Sequence, residues 1–212
     1  LTMTDTTVVH LLRHGEVYNP TGVLYGRLPG YHLSDTGRAM ADMVAKSIAG
    51  RDIVAVWSSP MERAQETAAP TAEALDLQVV LDDRLIEATN VFEGKRFSGG
   101  VFRDPRNYWH FRDPSRPSWG EAYRDVVARM KSVIDDVREA ARGHEAVLVS
   151  HQLPIWIIRL AAESRRLMHD PRRRQCALAS LTSFTFERDR LVSIGYTEPA
   201  ATLLRGDPLP GA

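Results

Sequence analysis

Three short apolar runs, each ending in a reactive pair of residues and each followed by a helical pattern, constrain this chain more than any other feature. Val8-Val9-His10-Leu11-Leu12 stops at Arg13-His14, Ile53-Val54-Ala55-Val56-Trp57 at Ser58-Ser59, and Ala146-Val147-Leu148-Val149 at Ser150-His151. Such runs suit strands covered on both faces, which pair in parallel and need helices as crossovers. The crossovers are visible. Thr36 to Ala49 carries Met40, Met43, Val44 and Ile48 at helical spacing, and Gly50 supplies a stop. Ser59, Pro60 and Glu62 make a capping signal for a second helix, expected to reach about Leu75. Gln78 to Leu81 reads as a short third strand. Ser118 to Glu121 repeats the capping spacing and opens a helix to about Arg142. Leu153 to Ala162 is an apolar helix, and Ala177 to Phe186 with Leu191 to Tyr196 forms a closing pair of strands around a polar turn.

The expected fold class is α/β: a three-layer sandwich with a mostly parallel central sheet, helices on both faces, and last strands free to run antiparallel. At 212 residues and 43% hydrophobic, the chain can build one full core, so residues 1–212 read as a single domain. Residues 82–118, rich in Gly, Pro, Arg and aromatics, read as a substrate-wall insertion rather than a second domain. Residues 199–212 read as a loose tail.

Composition removes several classes of function. The 27 Lys and Arg balance 27 Asp and Glu, which argues against a nucleic-acid partner bound through bulk charge. No apolar run approaches the ~20 residues of a membrane span, and the first residues lack a signal peptide's basic start and apolar stretch. No membrane partner and a cytoplasmic location are therefore expected. Cys176 is the single cysteine, so an internal disulfide and a multi-Cys zinc site are both excluded; it reads as a small buried apolar residue.

In open α/β sheets, ligands bind beyond the carboxyl ends of the strands. Those ends carry Arg13-His14, Ser58-Ser59 leading to Arg63, and Ser150-His151, so two histidines and two arginines would collect on one edge. Arginine offers phosphate a planar fork of donors with a permanent charge, and a neutral histidine can attack phosphorus. A lone histidine or arginine at a strand end is most often structural; their joint occurrence at three ends points to a phosphate-monoester site. Metal chemistry has little support. His10 and His14 on one strand would stand about 13 Å apart, and no HExxH motif or Asp/His cluster is present, so no metal and no cofactor is expected. Neither a GxxxxGK[ST] loop nor a strand-linked GxGxxG occurs.

Leu11-Leu12-Arg13-His14-Gly15-Glu16 resembles the RHG signature of the histidine phosphatase superfamily, which includes phosphoglycerate mutases. Five further segments follow in the family's order. Leu33 to Arg38 resembles its L-[ST]-x-x-G segment, and Ser58 to Ala68 its S-S-x-x-x-R-A-x-x-T-A segment. Leu85-Ile86-Glu87 with Phe92-Glu93-Gly94 is similar to L-x-E followed by W-E-G. Trp119-Gly120-Glu121 resembles the G-E that opens a later helix, and Val147 to His151 resembles V-x-V-S-H. The resemblance implies a nucleophilic His14 that carries a transient phosphohistidine, and phosphoryl oxygens held by Arg13, Arg63 and His151. It implies Glu87 as proton donor to the leaving oxygen; the segment between Glu87 and Glu93 is about one residue shorter than the family's, which leaves Glu93 and Glu16 as rival acids. Asn19, five residues after His14 where the family often has Asn at six, is a candidate substrate contact, as are Arg27 and Gln152. Gln152 stands where the family usually has Gly. The wall between Tyr18 and His32 and the insertion, with Arg96, Arg103, Arg106, Tyr108, Trp109 and His110, would shape specificity. Arg172-Arg173-Arg174 reads as a solvated run, with a substrate clamp as the alternative.

The expected function is a metal-independent phosphatase acting on a phosphorylated small molecule. The alternatives are a phosphoglycerate-mutase-type phosphotransferase and a non-catalytic binding protein on the same fold.

Overall fold

The computed structural model describes residues 6–96, 105 and 120–204. In it the three apolar runs become neighbouring strands. β1 (Thr6–Arg13), β2 (Ile53–Ser58), β3 (Val79–Leu81), β4 (Glu145–Ser150), β5 (Leu181–Glu187) and β6 (Arg190–Thr197) form one sheet in the order β3-β2-β4-β1-β5-β6. The pairs β3/β2, β2/β4 and β4/β1 are parallel; β5 runs antiparallel to both β1 and β6. The α/β expectation and the antiparallel close are thus both observed. The four helices among the described residues are α1 (Asp35–Ile48), α2 (Glu62–Ala74), α3 (Tyr123–Ala140) and α4 (Gln152–Ala162).

Alternation along the central strands makes two cores. Val9 and Leu11 of β1, with Ala146 and Leu148 of β4, pack on Val126, Met130 and Val133 of α3 and on Ile155 and Ile157 of α4. Leu12, Val147 and Val149 face the other way, onto Met40 and Val44 of α1 and Ala64 and Ala68 of α2. Both faces of β1 and β4 are buried, which is why their sequences read as continuous apolar runs rather than as alternation.

Three boundaries differ from the sequence reading. α2 begins at Glu62 with Met61 as its cap residue and no side-chain cap bond from it, not at Ser59-Pro60; the Ser59 hydroxyl, one turn earlier, takes the Met61 amide (3.4 Å) and bonds His151 Nε2 (2.9 Å). α3 begins at Tyr123 after Ala122, later than the Ser118 start, and Ser118 itself lies outside the described residues. The tail is packed where it is described: Ala200 is buried, and Leu203 and Leu204 lie against the second core. Arg103, Arg106, Tyr108, Trp109 and His110 lie outside the described residues. No helix among the described residues is long and apolar enough to cross a membrane.

Two close backbone approaches fix the loops around the strand ends. Gly15 and Gly37 meet so tightly that a Cβ on Gly15 would stand 2.6 Å from the Gly37 carbonyl oxygen, and a Cβ on Gly37 would stand 2.0 Å from that of Glu16. The first turn of α1, capped by the Ser34 hydroxyl on the Gly37 amide (3.0 Å), therefore seats directly on the loop after β1. Gly120 meets the Thr89 carbonyl in the same way, at 1.6 Å from a notional Cβ.

Candidate active site

The register of the central strands builds the site. Arg13 of β1 lies opposite Ser150 of β4, so the next residue on each strand, His14 and His151, emerges side by side. Backbone bonds continue past the strand ends: the His14 amide donates to the Ser150 carbonyl (3.1 Å) and the Ser59 amide to the Val149 carbonyl (2.9 Å). The two imidazoles stand 5.2 Å apart, ring centre to ring centre, inclined at 60°. Arg13, His14, Ser59, Arg63 and His151 are all buried.

His14 is held in one tautomer. Its Nδ1–H donates to the Gly15 carbonyl (2.8 Å), which leaves the Nε2 lone pair unprotonated and directed away from the loop. Burial, reinforced by the Arg63 and Arg13 charges, keeps its pKa well below the ordinary 6.5, so the ring is neutral at physiological pH. The loop that carries it is pinned to α2. Thr67 Oγ1 accepts the Gly15 amide (3.0 Å) and donates to the Arg63 carbonyl (2.7 Å).

Arg63, on the first turn of α2, points its guanidinium into the cluster. One arm donates to the Gly26 carbonyl (2.6 Å) and lies 3.4 Å from His151 Nδ1, and the group sits over the Tyr25 ring at 4.7 Å. Its Nε and Nη1 are buried and have no hydrogen-bond partner among the described residues. Buried guanidinium donors left unmet cost about 1–3 kcal/mol each, so their retention fits an anion-binding edge. His151 accepts from Arg63 at Nδ1 and donates from Nε2 to Ser59 Oγ (2.9 Å). Burial first, then Arg63 and His14, hold its pKa well below 6.5. Arg13 Nη1 donates to the Cys176 carbonyl (2.7 Å), and its charge bears on both His14 and His151.

The Glu87 carboxyl enters from the segment after β3. It is half-buried, and burial raises its pKa, opposed by the Ala88 amide (2.8 Å) and by Arg63, Arg174 and Arg129. A carboxyl whose proton is favoured by burial, yet which faces cations, suits a proton donor that later becomes a base. The rival carboxylates brace loops instead. Glu16 accepts from the Ser34 hydroxyl (2.6 Å), and Glu93 accepts from the Arg27 amide (3.0 Å).

Of the sequence-predicted residues, Arg13, His14, Arg63 and His151 converge, and Glu87 and Gln152 line an adjoining cavity with Leu24 and Gly26. Asn19 turns onto its own loop: its amide is occupied at both ends by Val23, at 2.8 and 3.2 Å. Arg27 Nε donates to the Glu87 backbone carbonyl (2.6 Å), so it holds the acid's segment in place. The sequence reading did not single out Tyr25, which is edge-on to His14 at 6.4 Å, nor the Thr67 pin, nor the contact between Ser59 and His151. Arg174 was read as solvated; it lines the cavity with Glu87.

The family model for the histidine phosphatase superfamily (branch 1) matches residues 9–198 of this chain. The chain belongs to the histidine phosphatase superfamily. An uncharacterized protein of Mycobacterium tuberculosis, Rv0525, is 57% identical over 201 residues, covering 94% of this chain and all of that one. Phosphoserine phosphatase 1 of Hydrogenobacter thermophilus is 29% identical over 150 residues, 68% of this chain and 71% of that protein. Among solved structures, mycobacterial glucosyl-3-phosphoglycerate phosphatase Rv2419c superposes with a TM-score of 0.71 at 26% identity, covering 85% of this chain and 90% of that one. This member of the histidine phosphatase superfamily thus shares its fold with a solved phosphatase.

Proposed function

We propose that this histidine phosphatase hydrolyses the phosphate monoester of a small molecule through a phosphohistidine on His14, without a metal. The observation that carries the proposal is the pairing of a neutral His14, its Nδ1 tied to Gly15, with the unmet buried donors of Arg63 beside it.

His14 Nε2 attacks phosphorus as the bond to the leaving oxygen breaks. Glu87 gives that oxygen its proton, so an alcohol departs and a carboxylate remains. Arg63 and Arg13 hold the equatorial oxygens and offset the charge that gathers on them. His151, neutral in the free site, takes a proton from solvent at Nδ1 as a phosphate dianion arrives there and returns it to solvent when inorganic phosphate leaves; its Nε2–H is already committed to Ser59, so the ring stays oriented through the change. The Glu87 carboxylate then takes a proton from water, the hydroxide attacks phosphorus, and the N–P bond breaks to release inorganic phosphate and neutral His14. The names of the similar phosphatases support a phosphorylated small molecule as substrate.

The test is turnover of p-nitrophenyl phosphate by the wild type and by His14→Ala, with alkaline detergent quenching to trap the phosphoprotein. The variant is expected to lose turnover and the acid-labile, base-stable phosphoryl group together. Full activity in His14→Ala refutes the phosphohistidine mechanism. The same assay with 2,3-bisphosphoglycerate and 3-phosphoglycerate separates hydrolysis from mutase chemistry.

A further inference from the structure

Arg63 serves a phosphoryl group well only if its guanidinium plane is held in one orientation, and an arginine side chain has ample rotamer freedom to leave it. The start of the side chain is fixed by its place on the first turn of α2. The far end is fixed by two groups of different kinds, both from the dipeptide Tyr25-Gly26. The Gly26 carbonyl takes an Nη2 proton (2.6 Å). That bond holds one corner of the planar group and leaves the plane free to swing about it. The Tyr25 ring stops the swing, because the guanidinium carbon stands over it, 4.7 Å from its centre. The Nε and Nη1 donors, unmet among the described residues, are thereby kept in place for phosphoryl oxygens.

The ring is itself held. Tyr25 is only 4% exposed, and Tyr31 packs against it at 5.1 Å, ring centre to ring centre, inclined at 30°. The turn that follows is closed by the Leu28 amide on the Tyr25 carbonyl (2.6 Å). The rest of the loop is strapped to the helix that carries Arg63: Glu62 accepts the Gly30 amide (3.0 Å), and Glu66 accepts the Leu33 amide (2.7 Å). Glu62, Arg63 and Glu66 thus all grip one loop, so the ring and the guanidinium keep a common frame. The ring meets Arg63 as a neutral phenol, since burial pushes its hydroxyl pKa up against the pull of the Arg63 and Arg13 charges. The attraction is that of a cation for a π face, which is strongest where both partners are out of water.

We propose that Tyr25 is a positioning residue for phosphoryl transfer: its ring face sets the orientation of Arg63, and its hydroxyl takes no part. The proposal rests on the phosphatase reading above. Without the ring, Arg63 keeps its charge and its bond to Gly26, but its free donors have to be ordered anew each time a phosphoryl group arrives.

The test is a double-mutant cycle on p-nitrophenyl phosphate hydrolysis, with inorganic phosphate as competitor. Tyr25→Met, of similar length but without a π face, is expected to lower kcat/KM about 2- to 30-fold and to weaken inhibition by inorganic phosphate. Tyr25→Phe, which keeps the ring, is expected to recover most of both. In the Arg63→Met background Tyr25→Met is expected to cost little more, because the group that the ring orients is gone. Equal fold-losses from Tyr25→Met with and without Arg63 overturn the proposal, and the comparison cancels any loosening of the loop that both backgrounds share. A loss in Tyr25→Phe as large as that in Tyr25→Met also overturns it, by giving the hydroxyl a role of its own, and so does undiminished activity in Tyr25→Met. In each of those outcomes the wild type still hydrolyses p-nitrophenyl phosphate and forms the phosphoprotein; their absence instead overturns the phosphatase reading itself.

Discussion

Replacing Arg63 with methionine separates function from stability, because the two depend on different atoms of one side chain. In the free protein Nε and Nη1 are buried and have no partner among the described residues, while Nη2 serves the Gly26 carbonyl. Methionine of similar length removes two charge-assisted bonds to the phosphoryl group, each worth about 1.5–3 kcal/mol. The sum of about 3–6 kcal/mol corresponds to a fall in kcat/KM of about 10²–10⁴-fold. The stability balance has the opposite character. The Gly26 carbonyl loses its donor, a cost of about 1–3 kcal/mol, and the contact with the Tyr25 ring is lost, about 0.5–2 kcal/mol. Two unmet buried N–H groups vanish, which returns about 1–3 kcal/mol each, together with the desolvation of a buried cation. These nearly cancel, so Arg63→Met is expected to lie within about 2 kcal/mol of the wild type, on the stabilised side. The assay pairs p-nitrophenyl phosphate kinetics with urea unfolding on the same preparations. A variant that loses about 4 kcal/mol or more of stability while keeping activity within about tenfold would refute the reasoning and make Arg63 a structural brace.

Two other outcomes follow from the same geometry. Glu87→Gln is expected to slow phosphoenzyme formation from alkyl phosphates by about 10²–10⁴-fold and from nitrophenyl phosphate far less, while slowing phosphoenzyme hydrolysis for both; rapid-quench kinetics with leaving groups of graded basicity measures this, and the same pattern in Glu93→Gln instead would move the acid. On pH, His14 and His151 are buried with pKa values pushed well below 6.5, and His10 is lowered in the same direction. The unfolded chain then binds protons that the folded one refuses, so stability is full above about pH 6.5 and falls as pH drops below it, by up to about 2.7 kcal/mol per pH unit for the first two. Glu87, with its pKa raised, works against this trend. Urea titrations from pH 7.5 to 5 check it, and a slope unaffected by the paired changes His14→Ala and His151→Ala would contradict it.

How much was legible in the sequence follows from how far each feature depends on chain-local chemistry. That β1 and β4 are strands covered on both faces is readable because their runs are apolar throughout, though not that they are neighbours, and a strand end followed by a helix places its reactive residues at the sheet edge whatever the rest of the chain does. The start of α2 was misplaced because a serine before a proline carries the same local signal whether its hydroxyl caps a helix or serves a histidine on another strand. Arg174 was misread for a related reason. Three arginines in a row look alike by composition, and only the turn that Asp170 imposes sends two outward and one inward. Tyr25 and Thr67 act through contacts with Arg63 and Gly15, which no periodicity encodes. Asn19 satisfied a motif's residue type at a spacing one short, and its amide closes its own loop.

The placement of the two active-site histidines on adjacent central strands sets a clock. Arg13 and Ser150 are register partners, so His14 and His151 meet only when β1 and β4 pair. The intervening stretch takes roughly 7–30 s to synthesise at ~5–20 residues per second. Through that interval His14 has already been made but has neither the Ser150 carbonyl to bind its amide nor His151 at its side. In a nascent chain the two histidines therefore cannot stand side by side until nearly three-quarters of it exists. The cluster around His14 is completed by the strand that brings its partner, after most of the chain has been made.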